Sequence, residues 1–321
     1  MKSVSRRTML KMAAAMPLVG AVPILGPRIA QAQTGKMAIF IGTAPHFGNI
    51  VVADEKGFFR KEGLQTELTP FASGSIACEA FAAGQGHAAD CGDLGALKLW
   101  TKNSVGICPT ARSGAWSIVV GGKGINSATD MRGKKVGVLM GSTSEYFARI
   151  YFAKAGMKMT DVDVVNLRPP EMVTGLVQKD IDAFILWEPF GTRVSAATKG
   201  EARILAKGGD YFTEWMIATA SRGYVKNNRA ELVAYMRGLD AASKWCNANP
   251  KEAADVYSAR MKVKELDISR SMFEGAHWTV AYTPEFRRDI ERLGEFINVK
   301  VDWNTMFDSS FLKQANPALV S

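Results

Sequence analysis

Metal-ligand spacing is missing from this sequence. Cys78, Cys91, Cys108 and Cys246 are too irregularly placed for a zinc site, which needs paired Cys-x2-Cys or His ligands, and His46, His87 and His277 supply no second pair. No metal and no cofactor is therefore expected. The cysteines read as buried free thiols, although an oxidising compartment also permits a disulfide among the first three. Catalytic signatures are missing too: there is no Gly-x-Ser-x-Gly elbow, no Gly-x4-Gly-Lys-Ser/Thr phosphate loop, no His-Glu-x-x-His and no dinucleotide glycine fingerprint. Binding without chemistry is the simpler expectation, so the chain is not read as an enzyme.

Long apolar runs are also scarce. The stretch 12–26 is weakly apolar and interrupted by Pro17, Pro23 and Gly26, short of the ~20 residues a membrane span needs. What is present there is an export signal. Ser5-Arg6-Arg7-Thr8-Met9-Leu10-Lys11 has the twin-arginine pattern, and Ala30-Gln31-Ala32 is a small-x-small cleavage site. Residues 1–32 are expected to be removed, leaving a soluble protein in the periplasm, and no Cys follows to carry a lipid. The whole chain has 40 basic and 31 acidic residues, but five of the basic ones lie in the leader, so the remainder is only +4. That balance, without a dense Lys/Arg run, argues against nucleic acid as a partner.

From residue 37 onward the periodicity alternates between strand and helix, twice over. Strands are predicted at 37–41, 64–68, 87–91 and 105–108, with helices at 46–56, 75–83 and 94–100. The pattern restarts with strands at 136–139, 162–167 and 181–187 and helices at 144–154 and 172–178. Two α/β units, each a mostly parallel sheet flanked by helices, are the natural packing. The crossings between them are placed near 117–122 and 215–221, and such crossings can act as a hinge. The first lobe is then 33–118 with 221–321, and the second is 119–220.

Ligands bind beyond the carboxyl ends of parallel strands. The loops there hold nearly all the small, polar and aromatic oddities of the sequence. Ser142-Thr143-Ser144-Glu145 fits the capping box that starts a helix, yet a Gly-led hydroxyl cluster also offers free amides and a positive dipole end to an anion. Ser73-Gly74-Ser75 repeats the arrangement. Asp93 and Glu188 supply negative charge on opposite sides of a supposed cleft, either as capping or solvated carboxylates or as partners for an amine or hydroxyl. His46 reads as a cleft or surface imidazole, and Phe47, Trp116 and Trp187 as pocket walls or core.

The stretches "VADEKGFFRKEGLQTEL" (52–68), "SGS" (73–75), "GDLGAL" (92–97), "DMRGKKVGVLMGSTSEY" (130–146) and "DVDVVNLRPPEMVTGLVQKDIDAFILWEPF" (161–190) resemble the periplasmic substrate-binding proteins of the nitrate/sulfonate/taurine class of ABC importers, most nearly the taurine and aliphatic-sulfonate branch. The resemblance implies a two-lobed periplasmic binding protein fold of type II that closes on a small organic anion or zwitterion. It also implies delivery to ABC permease subunits with a separate ATPase, by a monomer. An aromatic acid or a pyrimidine-type precursor is the alternative ligand. An exported enzyme or a ligand-sensing module on the same scaffold are the alternative classes. Glu145 stands where this family frequently has a His, which puts a carboxylate beside the expected anion seat.

Overall fold

The computed structural model describes residues 36–321; the expected leader lies outside the described residues. Four strands come first: β1 (Met37–Gly42), β2 (Thr66–Phe71), β3 (Ala88–Gly92) and β4 (Ser104–Ser113). Five follow in a second sheet: β5 (Ser117–Gly121), β6 (Lys135–Val138), β7 (Asp163–Asn166), β8 (Ala183–Trp187) and β9 (Arg203–Lys207). The chain then returns through β10 (Glu214–Ser221), and a short β11 (His277–Trp278) closes the set among helices. The first sheet has the order β11-β4-β10-β3-β1-β2, and the second β7-β6-β8-β5-β9.

The two α/β units are present, but their sheets are mixed where mostly parallel ones were expected. β1 runs parallel to β2 and β3, whereas β10 inserts antiparallel between β3 and β4. In the second sheet β6 is parallel to β7 and β8, while β5 is antiparallel to β8 and β9. The segments read as crossings are therefore themselves strands. Ser117–Gly121 belongs to the second sheet and Glu214–Ser221 to the first, so the boundary expected at 220 falls instead before β10. The actual passages are 114–116 and 208–213. They run side by side, because Gly209 N–H donates to the Gly114 carbonyl, and a Cβ on Gly114 would sit 2.6 Å from the Gly209 Cα.

The apolar run of β5 explains why it was mistaken. Ile118 and Val120 face one core layer and Val119 the other, so both faces of the strand are buried and no alternation is visible. The layer with Val119 packs Val136, Val138 and Ile185 against Phe147 and Tyr151 of the helix Thr143–Lys154. Met172 and Leu176 of the helix Pro169–Gln178, with Val194, cover the other face. Cys78 and Cys91 form a disulfide, which corrects the free-thiol reading for that pair; Cys108 and Cys246 are buried thiols. Among the described residues no helix is long and apolar enough to cross a membrane.

Candidate functional site

Each sheet sends a helix start into the same gap. The helix Gly74–Ala82 follows β2, and its N-cap Ser73 accepts from Ile76 N–H at 3.3 Å. On the other side, Gly141 takes a positive φ of 82°, turning the chain so that Ser142 caps the helix Thr143–Lys154 by accepting from Ser144 N–H at 3.2 Å. Both caps satisfy only part of the free amide set at a helix start, and both ends carry the positive pole of a helix dipole. Gly74 is needed for the approach: a Cβ there would lie 2.9 Å from the Phe47 ring and 3.2 Å from the Cys91 Cα.

One cavity is lined by both starts. Ser73, Gly74 and Ser75 line it from the first unit and Ser142, Thr143 and Trp187 from the second, with His46, Phe47, Gly92 and Glu214 completing the wall. Its empty volume, counted out to the solvent at its mouth, is about 440 Å³. No Lys or Arg is among the lining residues.

Eight of the expected site residues meet here: His46, Phe47, Ser73, Gly74, Ser75, Ser142, Thr143 and Trp187. Four do not line it. Asp93 accepts from Leu94 N–H (2.8 Å), Trp215 N–H (3.3 Å) and Thr143 Oγ1 (3.2 Å), so its oxygens are spent on a clasp between the units. Glu188 accepts from Thr192 N–H at 3.0 Å and Thr192 Oγ1 at 2.9 Å, capping the helix Phe190–Ala197. Ser144 donates to the Ile185 carbonyl and accepts from Leu139 N–H, tying its helix to the second sheet. Trp116 is buried behind His46, with ring centres 4.6 Å apart, and its indole N–H donates to the Met272 carbonyl at 3.4 Å. The capping reading thus holds for Glu188, and the core reading for Trp116.

Glu145 is also accounted for. It accepts from Gly141 N–H at 2.8 Å and pairs with Arg149 one turn along, so its charge is turned away from the lining and its carboxyl is held low despite partial burial. The reach is one residue further back than a strict capping box, which would engage Ser142 N–H.

Glu214 is the site residue that sequence reading missed. It opens β10, is 4% exposed, and its Oε2 accepts from Ser117 Oγ of the second unit at 2.6 Å. Burial pushes its carboxyl up to about 8, helped by the neighbouring Asp93, so at neutral pH it is mostly uncharged. Burial likewise raises Asp93 to about 6. The only signal for Glu214 was an acid placed directly before the apolar run at 215–220, within a segment read as a passage. Burial also lowers His46 to about 3, so its imidazole is neutral.

The chain is similar over most of its length to proteins known to share this design. A Brucella abortus protein, assigned by name only as a binding protein, is 28% identical over 88% of both chains. The ligand-binding component of an ABC-type import system from Staphylococcus aureus, solved with zinc bound, superposes with a TM-score of 0.76 at 15% identity, covering 88% of this chain and 99% of that one. The alkanesulfonate-binding protein SsuA from Xanthomonas axonopodis pv. citri, bound to MOPS, gives 0.70 at 14% identity over 90% and 99%. These likenesses show the fold, that of the periplasmic binding proteins, with α/β units on either side of a cleft. The model of the NMT1-like family matches residues 30–261, well over half of the sequence, and the chain belongs to that family.

Proposed function

We propose that this protein is the solute-binding component of an ABC importer, exported from the cytoplasm, that closes on a small organic acid or zwitterion and hands it to a membrane permease served by a separate ATPase. The observation that carries the reading is the pair of helix amino termini, one from each sheet, lining one cavity that has no cationic side chain among the described residues. Backbone amides and aligned peptide dipoles supply positive potential without a fixed counterion, a common way to seat sulfonate or carboxylate. The uncharged Glu214 does not repel an acid, and an ammonium at the far end of the solute would favour loss of its proton and pair with the resulting carboxylate. Gly114–Gly209 pairing makes the two passages a single narrow hinge, about which the units part and close.

Catalysis is not part of this reading. Asp93 and Glu188, the candidate acid/base pair, are both engaged by hydrogen bonds and do not line the cavity. A second ligand class, an aromatic acid, is favoured by one feature: Phe47 and Trp187 both line the cavity and offer flat apolar surface.

Titration calorimetry with ethanesulfonate, taurine, nitrate, benzenesulfonate and benzoate tests the proposal. Binding of at least one acid, with compaction seen by small-angle scattering, is the expected result. Tight binding of neutral or cationic solutes with no acid bound would overturn the anion seat.

A further inference from the structure

His46 sits in this cavity with an unmet valence. The side chain is 3% exposed and lines the space beside Ser73 and Trp187, yet its Nε2 has no hydrogen-bond partner among the described residues. Its ring is held from behind and from the side, edge-on to Trp116 at 4.6 Å and 87° and to Trp187 at 6.2 Å and 90°. Aromatic contacts of that kind fix the plane of the imidazole.

A buried polar atom without a partner costs free energy, and the great majority in folded proteins are paired. Phenylalanine would fill the same aromatic niche without that cost. An orphaned nitrogen kept at a cavity wall is explained when the bound solute completes it. A neutral imidazole can do this in either direction, as an N–H donor or as a ring-nitrogen acceptor, depending on its tautomer.

Resting on the proposed solute-binding reading, we infer that His46 Nε2 selects among acids of similar size, favouring one that carries a hydrogen-bonding heteroatom in or on a flat body over a plain alkyl or aryl acid. The acidic head lies on the helix starts, the flat body lies against Phe47 and Trp187, and the heteroatom meets Nε2. An unsubstituted short alkanesulfonate such as ethanesulfonate carries no atom for that third contact.

The test compares pyridine-3-sulfonate with benzenesulfonate, which differ by one ring nitrogen, in wild type, His46→Phe and His46→Gln. In wild type the pyridine acid binds roughly tenfold more tightly, the scale of one hydrogen bond that would otherwise be left unmade. In His46→Phe the ratio falls to about one, and Gln, whose amide reaches a similar point, recovers part of it. A ratio of one in wild type, or an unchanged ratio in His46→Phe, overturns the assignment. If neither acid binds wild type, the solute-binding reading is what suffers, and thermal unfolding of the ligand-free proteins decides the role of His46. Removing an orphaned polar atom leaves the midpoint of His46→Phe equal to or above that of wild type. A clear drop shows that the imidazole is a structural residue.

Discussion

Gly92 lies in the cavity wall against Thr143 of the opposite unit, and it offers a wedge that acts on closure. Its φ and ψ of −61° and 155° suit any residue, so alanine is tolerated by the local backbone. The added Cβ, however, would stand 2.5 Å from Thr143 Oγ1, which belongs to the opposite unit and donates to Asp93 across the gap. Ordinary contact needs roughly 1 Å more, and forcing a group into a filled contact costs about 1–3 kcal/mol. The open form, with the units apart, is spared this cost. Gly92→Ala should therefore weaken ligand affinity by a factor of roughly 5 to 150 while leaving the ligand-free unfolding midpoint nearly unchanged. Calorimetry gives the affinity, and small-angle scattering gives the residual opening of the liganded protein. Thr143→Ala removes the clashing oxygen and leaves the new methyl 3.8 Å from the Thr143 Cβ. The double variant should thus bind no worse than Thr143→Ala alone. Unchanged affinity in Gly92→Ala, or a double variant as impaired as the sum of the two, would refute closure through this contact.

Three further outcomes follow from the same geometry. Asp90 is fully buried in the first sheet and burial raises its carboxyl from 3.8 to about 7, so the folded state holds a proton that the unfolded state has released. Its contribution is complete below about pH 4 and is lost as pH rises through 7, on the order of 4 kcal/mol at most; Asp90→Asn should flatten that part of the urea-midpoint profile between about pH 4 and 7, and an unchanged slope would show that another group dominates. Glu214→Gln keeps the hydrogen bond to Ser117 but cannot ionise, so affinity for taurine should fall relative to ethanesulfonate, and an equal effect on both would remove Glu214 as the amine partner. The Cys78–Cys91 disulfide spans 13 residues and joins the middle of the helix Gly74–Ala82 to the end of β3. Reduction, or replacement of both by serine, should lower stability by about 3 kcal/mol, as measured by urea denaturation.

Much of the order of strands and helices between residues 37 and 187 was legible in the sequence, because hydrophobic periodicity and helix caps are local properties. Ser73 and Ser142 cap their helices through bonds to residues two or three positions on, and Glu145 and Glu188 find partners four positions away, so all of these roles sit within a turn of chain. For Ser142, Glu145 and Glu188 a capping role was among the readings the sequence offered, beside a ligand-facing one, and the bonds formed in the fold decide between them. Pairing between distant segments is a different matter. β5 and β10 look like passages because a strand buried on both faces has no alternation, and only the closed sheets show which unit each one joins. That assignment puts Glu214 in the cavity wall and opposite Ser117, 97 residues away, while Asp93 is drawn out of the wall by Thr143, 50 residues away. Burial, which neutralises Glu214 and His46, is likewise a property of everything packed around a group, and tertiary structure alone decides it.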